Sequence, residues 1–183
     1  MARFGILSLA SSLLALALPA HAALTVGATA PLFTLRASLG GKEFTFSLAD
    51  ALKGGPVVLY FYPAAFTHGC TIEAHDFAEA TDRFKALGAT VIGVSHDKIE
   101  TLNRFSVSEC QSKFPVAADT DLRVAKSYRA MLVPPLPYAS RTSYVIAPDG
   151  HIVYSFTDLS PDQHVTNTLR AVEEWRAGHR PSP

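Results

Sequence analysis

A single cysteine follows directly on an apolar run, in a stretch whose residue types and spacing could support thiol chemistry. The stretch extends from Pro63 through Thr67 to Cys70 and comes immediately after the apolar residues 57–62. The apolar run predicts a strand covered on both faces, and the helical pattern after Cys70 places the cysteine where a helix begins. Free N–H groups at a helix start favour a negatively charged sulfur, the nucleophilic form of a thiol. The alternative is an ordinary buried cysteine, since free cysteine is among the most buried residue types.

The other candidate ligands and nucleophiles are one further cysteine and several histidines. Cys110 is the second of two cysteines, and in an oxidising compartment the pair could form one disulfide, although their spacing neither requires nor forbids it. His68, Cys70 and His75 suggest a metal site, but Cys70 and His75 lie about 140° apart around a helix axis and point to different faces. We therefore expect no metal and no organic cofactor. The sequence has no Cys-x-x-Cys pattern, which argues against a dithiol oxidoreductase.

The elements that must position this stretch alternate between strand and helix patterns. Apolar periodicity and turn residues predict them in the following order: a hairpin over residues 33–46 across Gly40-Gly41, a strand over 57–62, a helix from Thr71 to Leu87, a strand over 90–94, a helix capped by Asp97 with Glu100 and running towards Gln111, a strand over 114–117, a short helix over 122–128, a hairpin over 143–156 and a last helix capped by the stretch Ser160-Pro161-Asp162-Gln163. This order predicts an α/β, thioredoxin-like fold, with a central mixed β-sheet flanked by helices and an N-terminal hairpin.

The first residues have the pattern of an export signal. Arg3 precedes an apolar run over residues 5–18, and Ala20-His21-Ala22 provides small residues at a cleavage site. We expect a Sec-type signal peptide over residues 1–22, cleaved after Ala22. A membrane anchor is the alternative, but the run is shorter than the ~20 residues that a spanning helix needs. The sequence thus predicts a periplasmic protein whose residues 23–183 form a single domain, with its core over about residues 27–176.

Charge excludes some classes of partner. The 16 basic and 16 acidic residues balance at neutral pH, and they form no basic patch. Binding to nucleic acid or to an anionic membrane surface needs such a patch. We therefore expect a mature protein that binds neither nucleic acid nor a membrane.

Two motifs in this chain resemble those of a known family. The spacing Pro-x-x-x-Thr-x-x-Cys over Pro63 to Cys70 resembles the peroxidatic motif of the peroxiredoxins. The longer pattern Phe-Thr-x-Gly-Cys-Thr-x-Glu-Ala over residues 66–74 is similar to the bacterioferritin-comigratory-protein (PrxQ) branch. The resemblance covers about residues 27–176 and implies a thiol peroxidase that reduces hydrogen peroxide or organic hydroperoxides through a sulfenic acid at Cys70. The competing class is a non-catalytic thioredoxin-fold module that binds a periplasmic partner.

The resemblance also implies roles for the residues around Cys70. Thr67 would hydrogen-bond the peroxide and Pro63 would shield the sulfur from water. Arg141, in a segment that matches the family pattern over residues 139–146, would place a guanidinium at the site. Without that match a solvated surface arginine would be the simpler reading, and Arg123 and Arg129 are the other candidates. Glu73 would order the arginine, although a carboxylate in the first turn of a helix is nearly as good an explanation.

The sequence departs from the family at the resolving cysteine. Many members carry it five residues after the peroxidatic cysteine, where this chain has His75. Some relatives place it on the next helix, which implies Cys110 as the resolving residue; the alternative is a structural Cys110 in a one-cysteine enzyme. Since a disulfide needs Cα atoms within about 7 Å, Cys70 and Cys110 would have to meet by local unfolding. The resemblance further implies a thioredoxin-like dithiol reductant and a monomer.

Overall fold

The computed structural model describes residues 22–179. The predicted leader up to His21 lies outside them, so the signal peptide and its cleavage stay predictions. Within the described range the chain alternates strands and helices in this order: β1 (Thr34–Leu39), β2 (Lys42–Ser47), α1 (Leu48–Leu52), β3 (Val57–Phe61), α2 (His68–Ala86), β4 (Thr90–Ser95), α3 (Ile99–Ser108), β5 (Val116–Ala118), α4 (Arg123–Ser127), β6 (Thr142–Ile146), β7 (Ile152–Thr157) and α5 (His164–Gly178).

The strands form one mixed sheet in the order β2-β1-β5-β4-β3-β6-β7. β3 pairs in parallel with β4 and antiparallel with β6, so the end of β3 lies beside the start of β6. Phe61 is the register partner of Thr142. The loop that follows β3 and the residue that precedes β6 therefore meet at one edge of the sheet.

β3 also divides the core into two layers, because successive side chains of a strand point to opposite faces. Val57, Leu59 and Phe61 belong to one apolar cluster, which α1 and α4 cover. Val58 and Tyr60 belong to the other, which contains the buried faces of α2, α3 and α5 and both cysteines. All five residues of β3 are buried, as the apolar run predicts.

The architecture confirms the predicted α/β fold, with its mixed sheet, flanking helices and N-terminal hairpin. The hairpin turns through Gly40 and Gly41, whose φ angles of 56° and 77° suit a two-residue turn that needs positive φ at both positions. Within residues 22–179, no helix combines the length and the apolar character needed to cross a membrane.

Two helix starts differ from the sequence predictions, and a third agrees with its prediction. α2 begins at His68 rather than at Thr71, with Thr67 as its N-cap residue, so Cys70 lies inside the first turn. α3 is capped by Lys98 rather than by Asp97, because the Asp97 side chain accepts hydrogen bonds from the backbone N–H of Ala65, in the loop after β3, and from the hydroxyl of Ser95. α5 begins at His164 with Gln163 as its N-cap residue, which is the last residue of the predicted capping stretch 160–163.

Candidate active site

Cys70 lies in the first turn of a long helix and is nearly enclosed. It is the third residue of α2, which has 19 residues, and only 2% of its surface is exposed. The first N–H groups of a helix have no partner within the helix, and the helix dipole places partial positive charge at this end. Thus the sulfur lies in a position that favours negative charge.

Arg141 lies next to this sulfur. It immediately precedes β6, and only 5% of its surface is exposed. Its Nη2 donates to the Sγ of Cys70 at 3.6 Å, its Nη1 pairs with the Oε2 of Glu73, and its Nε donates to the carbonyl oxygen of Leu159 at 2.9 Å. Burial opposes the guanidinium charge, but Glu73 and Cys70 outweigh it and raise the pKa of Arg141. The three contacts hold a permanent positive charge against the sulfur.

Glu73 is a buried partner of Arg141 and is not a solvent-exposed carboxylate at a helix start. No part of its surface is exposed, and its Oε1 faces the Nδ1 of His164 at 3.8 Å. Complete burial raises the pKa of Glu73 to about 8, although the charge of Arg141 acts in the opposite direction. The arrangement explains why the chain has a carboxylate here, because an unpaired guanidinium would be costly to bury.

Thr67 and Pro63 lie in the segment that leads from β3 to Cys70, Thr67 as the N-cap residue of α2. Thr67 is exposed, and its hydroxyl donates to the carbonyl oxygen of Ala64 at 2.9 Å, which leaves the lone pairs of Oγ1 able to accept a hydrogen bond. Pro63 is half-buried, and its carbonyl oxygen lies 3.0 Å from the Nδ1 of His96. Both residues therefore lie in the segment that joins β3 to the first turn of α2, which carries Cys70.

Two residues that follow β4 hold the loop between β3 and α2 in place. The sequence analysis did not assign either of them to the site. His96 bonds the Pro63 carbonyl, and the Oδ2 of Asp97 accepts from the backbone N–H of Ala65 at 2.7 Å and from Ser95 Oγ at 2.8 Å. β4 runs parallel to β3, so the carboxyl ends of both strands meet at one edge, where ligands of open α/β sheets bind. The polar residues directly after the apolar strand β4 were the feature of the sequence that could have indicated a role at this edge.

His164 is a further buried residue of the site that the sequence analysis did not select. It is fully enclosed and contacts Glu73, Ser143 and the Asp158 backbone. Burial is the main cause that lowers the pKa of His164 to about 4. The ring is therefore neutral at neutral pH.

Cys110 lies on the same side of the sheet as Cys70, but it is not bonded to it. Both cysteines are free and buried, and Cys110 is fully enclosed just after the end of α3. Burial, with a smaller contribution from Glu109, raises the pKa of the Cys110 thiol. Glu109 in turn pairs with His75 of α2, with 3.0 Å between Oε2 and Nε2. The segment that carries Cys110 is thereby tied to the helix that carries Cys70.

The histidines of α2 do not assemble a metal site with Cys70. Within residues 22–179, no group of three or more histidine, cysteine, aspartate or glutamate side chains is arranged to hold a metal ion. His75 is engaged by Glu109, and His68 is exposed at the helix start.

Comparison with known proteins finds relatives that are peroxiredoxins of the Q and Bcp type. It is 34% identical over 159 residues to the chloroplastic peroxiredoxin Q of Sedum lineare, covering 85% of this chain and 81% of the relative. It is 31% identical over 156 residues to peroxiredoxin Bcp of Escherichia coli, covering 82% and 97%. The chain spans 66% of the length of the chloroplastic peroxiredoxin Q of Oryza sativa subsp. japonica, with 35% identity over 150 residues.

Solved structures and a family model agree with these relatives. The structure of peroxidoxin BcpB from Mycobacterium tuberculosis matches with a TM-score of 0.74 and 28% identity, covering 81% of this chain and 96% of that one. Peroxiredoxin Q of Xanthomonas campestris matches with a TM-score of 0.68 and 26% identity, covering 76% and 90%. The model of the AhpC/TSA family matches residues 26–155. With its relatives of the peroxiredoxin Q and Bcp type, the chain belongs to the AhpC/TSA family of peroxiredoxins.

Proposed function

We propose that the protein is an exported thiol peroxidase that uses Cys70 to reduce hydrogen peroxide, organic hydroperoxides or both. The observation that carries the proposal is the contact between Cys70 and Arg141, 3.6 Å from Sγ to Nη2, in the first turn of α2. A helix start and a fixed guanidinium together favour a thiolate, which is the form that attacks peroxide. Family membership supports the same chemistry.

In the proposed reaction the Cys70 thiolate attacks the hydroxyl oxygen of the hydroperoxide. The S–O bond forms as the O–O bond breaks, so the sulfur is oxidised by two electrons and the peroxide is reduced. The departing oxygen carries negative charge until it takes up a proton and leaves as water or an alcohol. Arg141 and the backbone N–H groups of the loop stabilise this charge, while Thr67 accepts a hydrogen bond from the peroxide and Pro63 limits access of water. The product at the sulfur is a sulfenic acid.

Cys110 is the proposed resolving residue. Its thiol would condense with the sulfenic acid of Cys70 to give an intramolecular disulfide and one molecule of water. A thioredoxin-like dithiol would then reduce the disulfide and restore both thiols. Since Cys110 is fully enclosed and free, this step needs the end of α3 and the first turn of α2 to open, and helix ends open at least cost.

Export and a monomeric state complete the proposal. Support for export comes from the apolar run over residues 5–18 and from the small residues around Ala22. The periplasm is the expected compartment, where structural and catalytic disulfides can persist.

The test measures peroxide consumption by the chain from Ala23 onwards, with dithiothreitol as the reductant. We expect turnover by the wild type and its loss in Cys70→Ser. Cys110→Ser is the matched control, because dithiothreitol can reduce a sulfenic acid without a resolving cysteine. Undiminished consumption by Cys70→Ser would overturn the proposal and favour a non-catalytic binding module.

A further inference from the structure

The first residue of α5 places an imidazole inside the core, next to the Cys70 site. His164 is fully enclosed, and its ring packs edge-on against Phe156 with 4.8 Å between ring centroids. Its Nε2 lies 3.0 Å from the carbonyl oxygen of Asp158, and its Nδ1 lies 2.8 Å from the hydroxyl of Ser143. Both ring nitrogens are therefore engaged.

The partners of His164 determine which nitrogen carries the proton. The Asp158 carbonyl can only accept, so Nε2 must be the N–H donor. The ring is neutral, since burial lowers the pKa of His164 to about 4, and Nδ1 then accepts from the hydroxyl of Ser143. A neutral histidine in this tautomer is one donor and one acceptor, and both have a partner here.

The donor side of His164 leads to Arg141. The carbonyl oxygens of Asp158 and Leu159 are consecutive along the chain, and they accept from His164 Nε2 and from Arg141 Nε, respectively. The backbone N–H of Asp158 also donates to the carbonyl oxygen of Arg141 at 3.3 Å. Leu159 is 63% exposed, so packing of its side chain does little to hold this turn in place. The hydrogen bond from the buried ring holds the turn from the core side, together with the bond from the Asp158 N–H and the bond from the Ser160 N–H to the Oδ1 of Asp158.

The acceptor side of His164 leads to Glu73. Among the described residues, the buried Oε1 of Glu73 has no hydrogen-bond partner, and it lies 3.8 Å from Nδ1 of His164. With Nδ1 unprotonated and satisfied by Ser143, no donor on this side competes for the carboxylate. Among the described residues, Arg141 is therefore the hydrogen-bond partner of the Glu73 carboxyl group, with Nη1 at Oε2 and Nη2 at the sulfur of Cys70.

We propose that His164 is a positioning residue for peroxide attack, which fixes the Asp158–Leu159 turn and thereby holds Arg141 against Cys70. This inference rests on the proposed function of Cys70 and Arg141. His164 touches neither the sulfur nor the substrate path, and it acts through a backbone turn and through Glu73.

The test compares three substitutions with one control. His164→Gln keeps an amide N–H that can reach the Asp158 carbonyl, whereas His164→Asn is too short to reach it. His164→Phe keeps a ring against Phe156 without any hydrogen bond. Thr168→Val is the control: Thr168 is also fully buried on α5, and its hydroxyl bonds only to backbone carbonyls of its own helix.

Two rates at Cys70 are measured for each variant: oxidation by hydrogen peroxide in a single turnover, and alkylation by iodoacetamide. Alkylation needs the thiolate alone, whereas peroxide attack also needs Arg141 in place to stabilise the departing oxygen. We expect His164→Phe and His164→Asn to slow peroxide oxidation about 10- to 100-fold, as a small misplacement of a catalytic group does, and to slow alkylation less. His164→Gln should recover most of the loss, and Thr168→Val should leave both rates unchanged.

Several outcomes would overturn the inference. Wild-type peroxide oxidation in His164→Phe or His164→Asn would do so, as would an equal fall of both rates, which indicates general loosening of the fold. A His164→Gln variant as slow as His164→Asn would also reject it, and this comparison does not require the phenylalanine variant to fold. If Cys70→Ser still consumes peroxide, the proposed function itself fails. If Cys70→Ser is inactive while the His164 variants react normally, only this inference fails.

Discussion

Arg141 donates from Nη2 to the Sγ of Cys70 over 3.6 Å, although the two residues are 71 positions apart. The contact exists because β6, which Arg141 precedes, pairs with β3, which the Cys70 loop follows. Three separate contacts orient the guanidinium, and only one of them is to the sulfur. The position of the guanidinium therefore depends on several residues at this edge of the sheet and not on Cys70 alone.

Arg141→Ala should slow oxidation of Cys70 by peroxide about 100- to 1,000-fold, because a preorganised donor to the departing oxygen is lost. Arg141→Lys should recover little, since an ammonium cannot make the three contacts of a planar guanidinium at once. Single-turnover oxidation measures the rate. Arg123→Ala and Arg129→Ala, both at exposed positions, are the controls, and loss of rate in either of them with a normal Arg141→Ala would show that the assigned arginine is wrong.

Gly69→Ala should separate activity from stability. A Cβ at this position would lie 3.0 Å from Nη2 of Arg141, so the guanidinium must shift by a few tenths of an ångström relative to the sulfur. Alanine is the better helix former by about 1 kcal/mol, so we expect thermal stability to be kept or raised while peroxide oxidation slows about 10-fold or more. Gly178→Ala, where a Cβ meets nothing within 4 Å, is the control. Equal rates in the two variants would contradict the prediction.

His164 should make folding stability depend on acid pH. In the folded protein its pKa is lowered from 6.5 to about 4, so the unfolded chain binds a proton that the folded chain does not. The stabilisation is complete above about pH 6.5, and it is lost as pH falls towards 4, by roughly 3 kcal/mol in all. His164→Gln should lack this loss.

Glu73 contributes with the opposite sign, because its pKa is raised from 4.5 to about 8. Its contribution is complete below about pH 4.5 and is lost as pH rises towards 8. The measured quantity is therefore the difference in free energy of unfolding between the wild type and His164→Gln, from urea denaturation between about pH 7 and pH 4. Both proteins contain Glu73, so its contribution to the pH dependence largely cancels in this difference. Parallel pH profiles of the two proteins would contradict the prediction.

If Cys110 condenses with the sulfenic acid of Cys70 as proposed, treatment with one equivalent of peroxide should convert the reduced protein to a form lighter by two hydrogens. Intact-mass analysis measures this change, which should disappear in Cys110→Ser. A stable sulfenic acid in the wild type, or a dimer linked through Cys70, would argue for a one-cysteine enzyme or an intermolecular cycle.

Glu109→Gln should speed formation of that disulfide. Glu109 pairs with His75 at 3.0 Å and ties the turn before Cys110 to α2, so the pair must separate before the two sulfurs can meet. A partly exposed pair contributes about 1 kcal/mol at most, so the expected gain is up to about 5-fold. The rate of mass change after peroxide is the measurement. Lys113→Gln, which removes another α2 contact through Asp82, is the control, and a rate in Glu109→Gln equal to that of the wild type would contradict the prediction.

Patterns within short segments of the sequence predicted the structural features that depend on residues close together along the chain. The apolar run of β3, the helix after it and the paired hairpin strands can be derived from periodicity, and these elements place Cys70 at a helix start. Asp97 shows where such reasoning fails. Its spacing to Glu100 predicts a helix cap, but in the folded protein the N–H of Ala65 is available across the sheet edge and the side chain binds there.

His164 shows the same limit more strongly. As a lone histidine at the start of an amphipathic helix, it has no local pattern that predicts a role. Its partners Glu73, Ser143 and Asp158 come from α2, β6 and the loop after β7, and only the strand order brings these elements together. A site assembled by the register of the sheet cannot be obtained from spacing within one segment.

The pairing of β3 with β6 also has a consequence for a chain that is still folding. Until residues 57–61 and 142–146 are in register, Cys70 has no guanidinium beside it and is an ordinary thiol with ordinary reactivity. Peroxide present at that stage would oxidise Cys70 no faster than Cys110. Because the partner strand comes late in the sequence, the proposed activation of the sulfur waits for nearly the whole domain, and fast oxidation of Cys70 would then be a chemical signal that folding is complete.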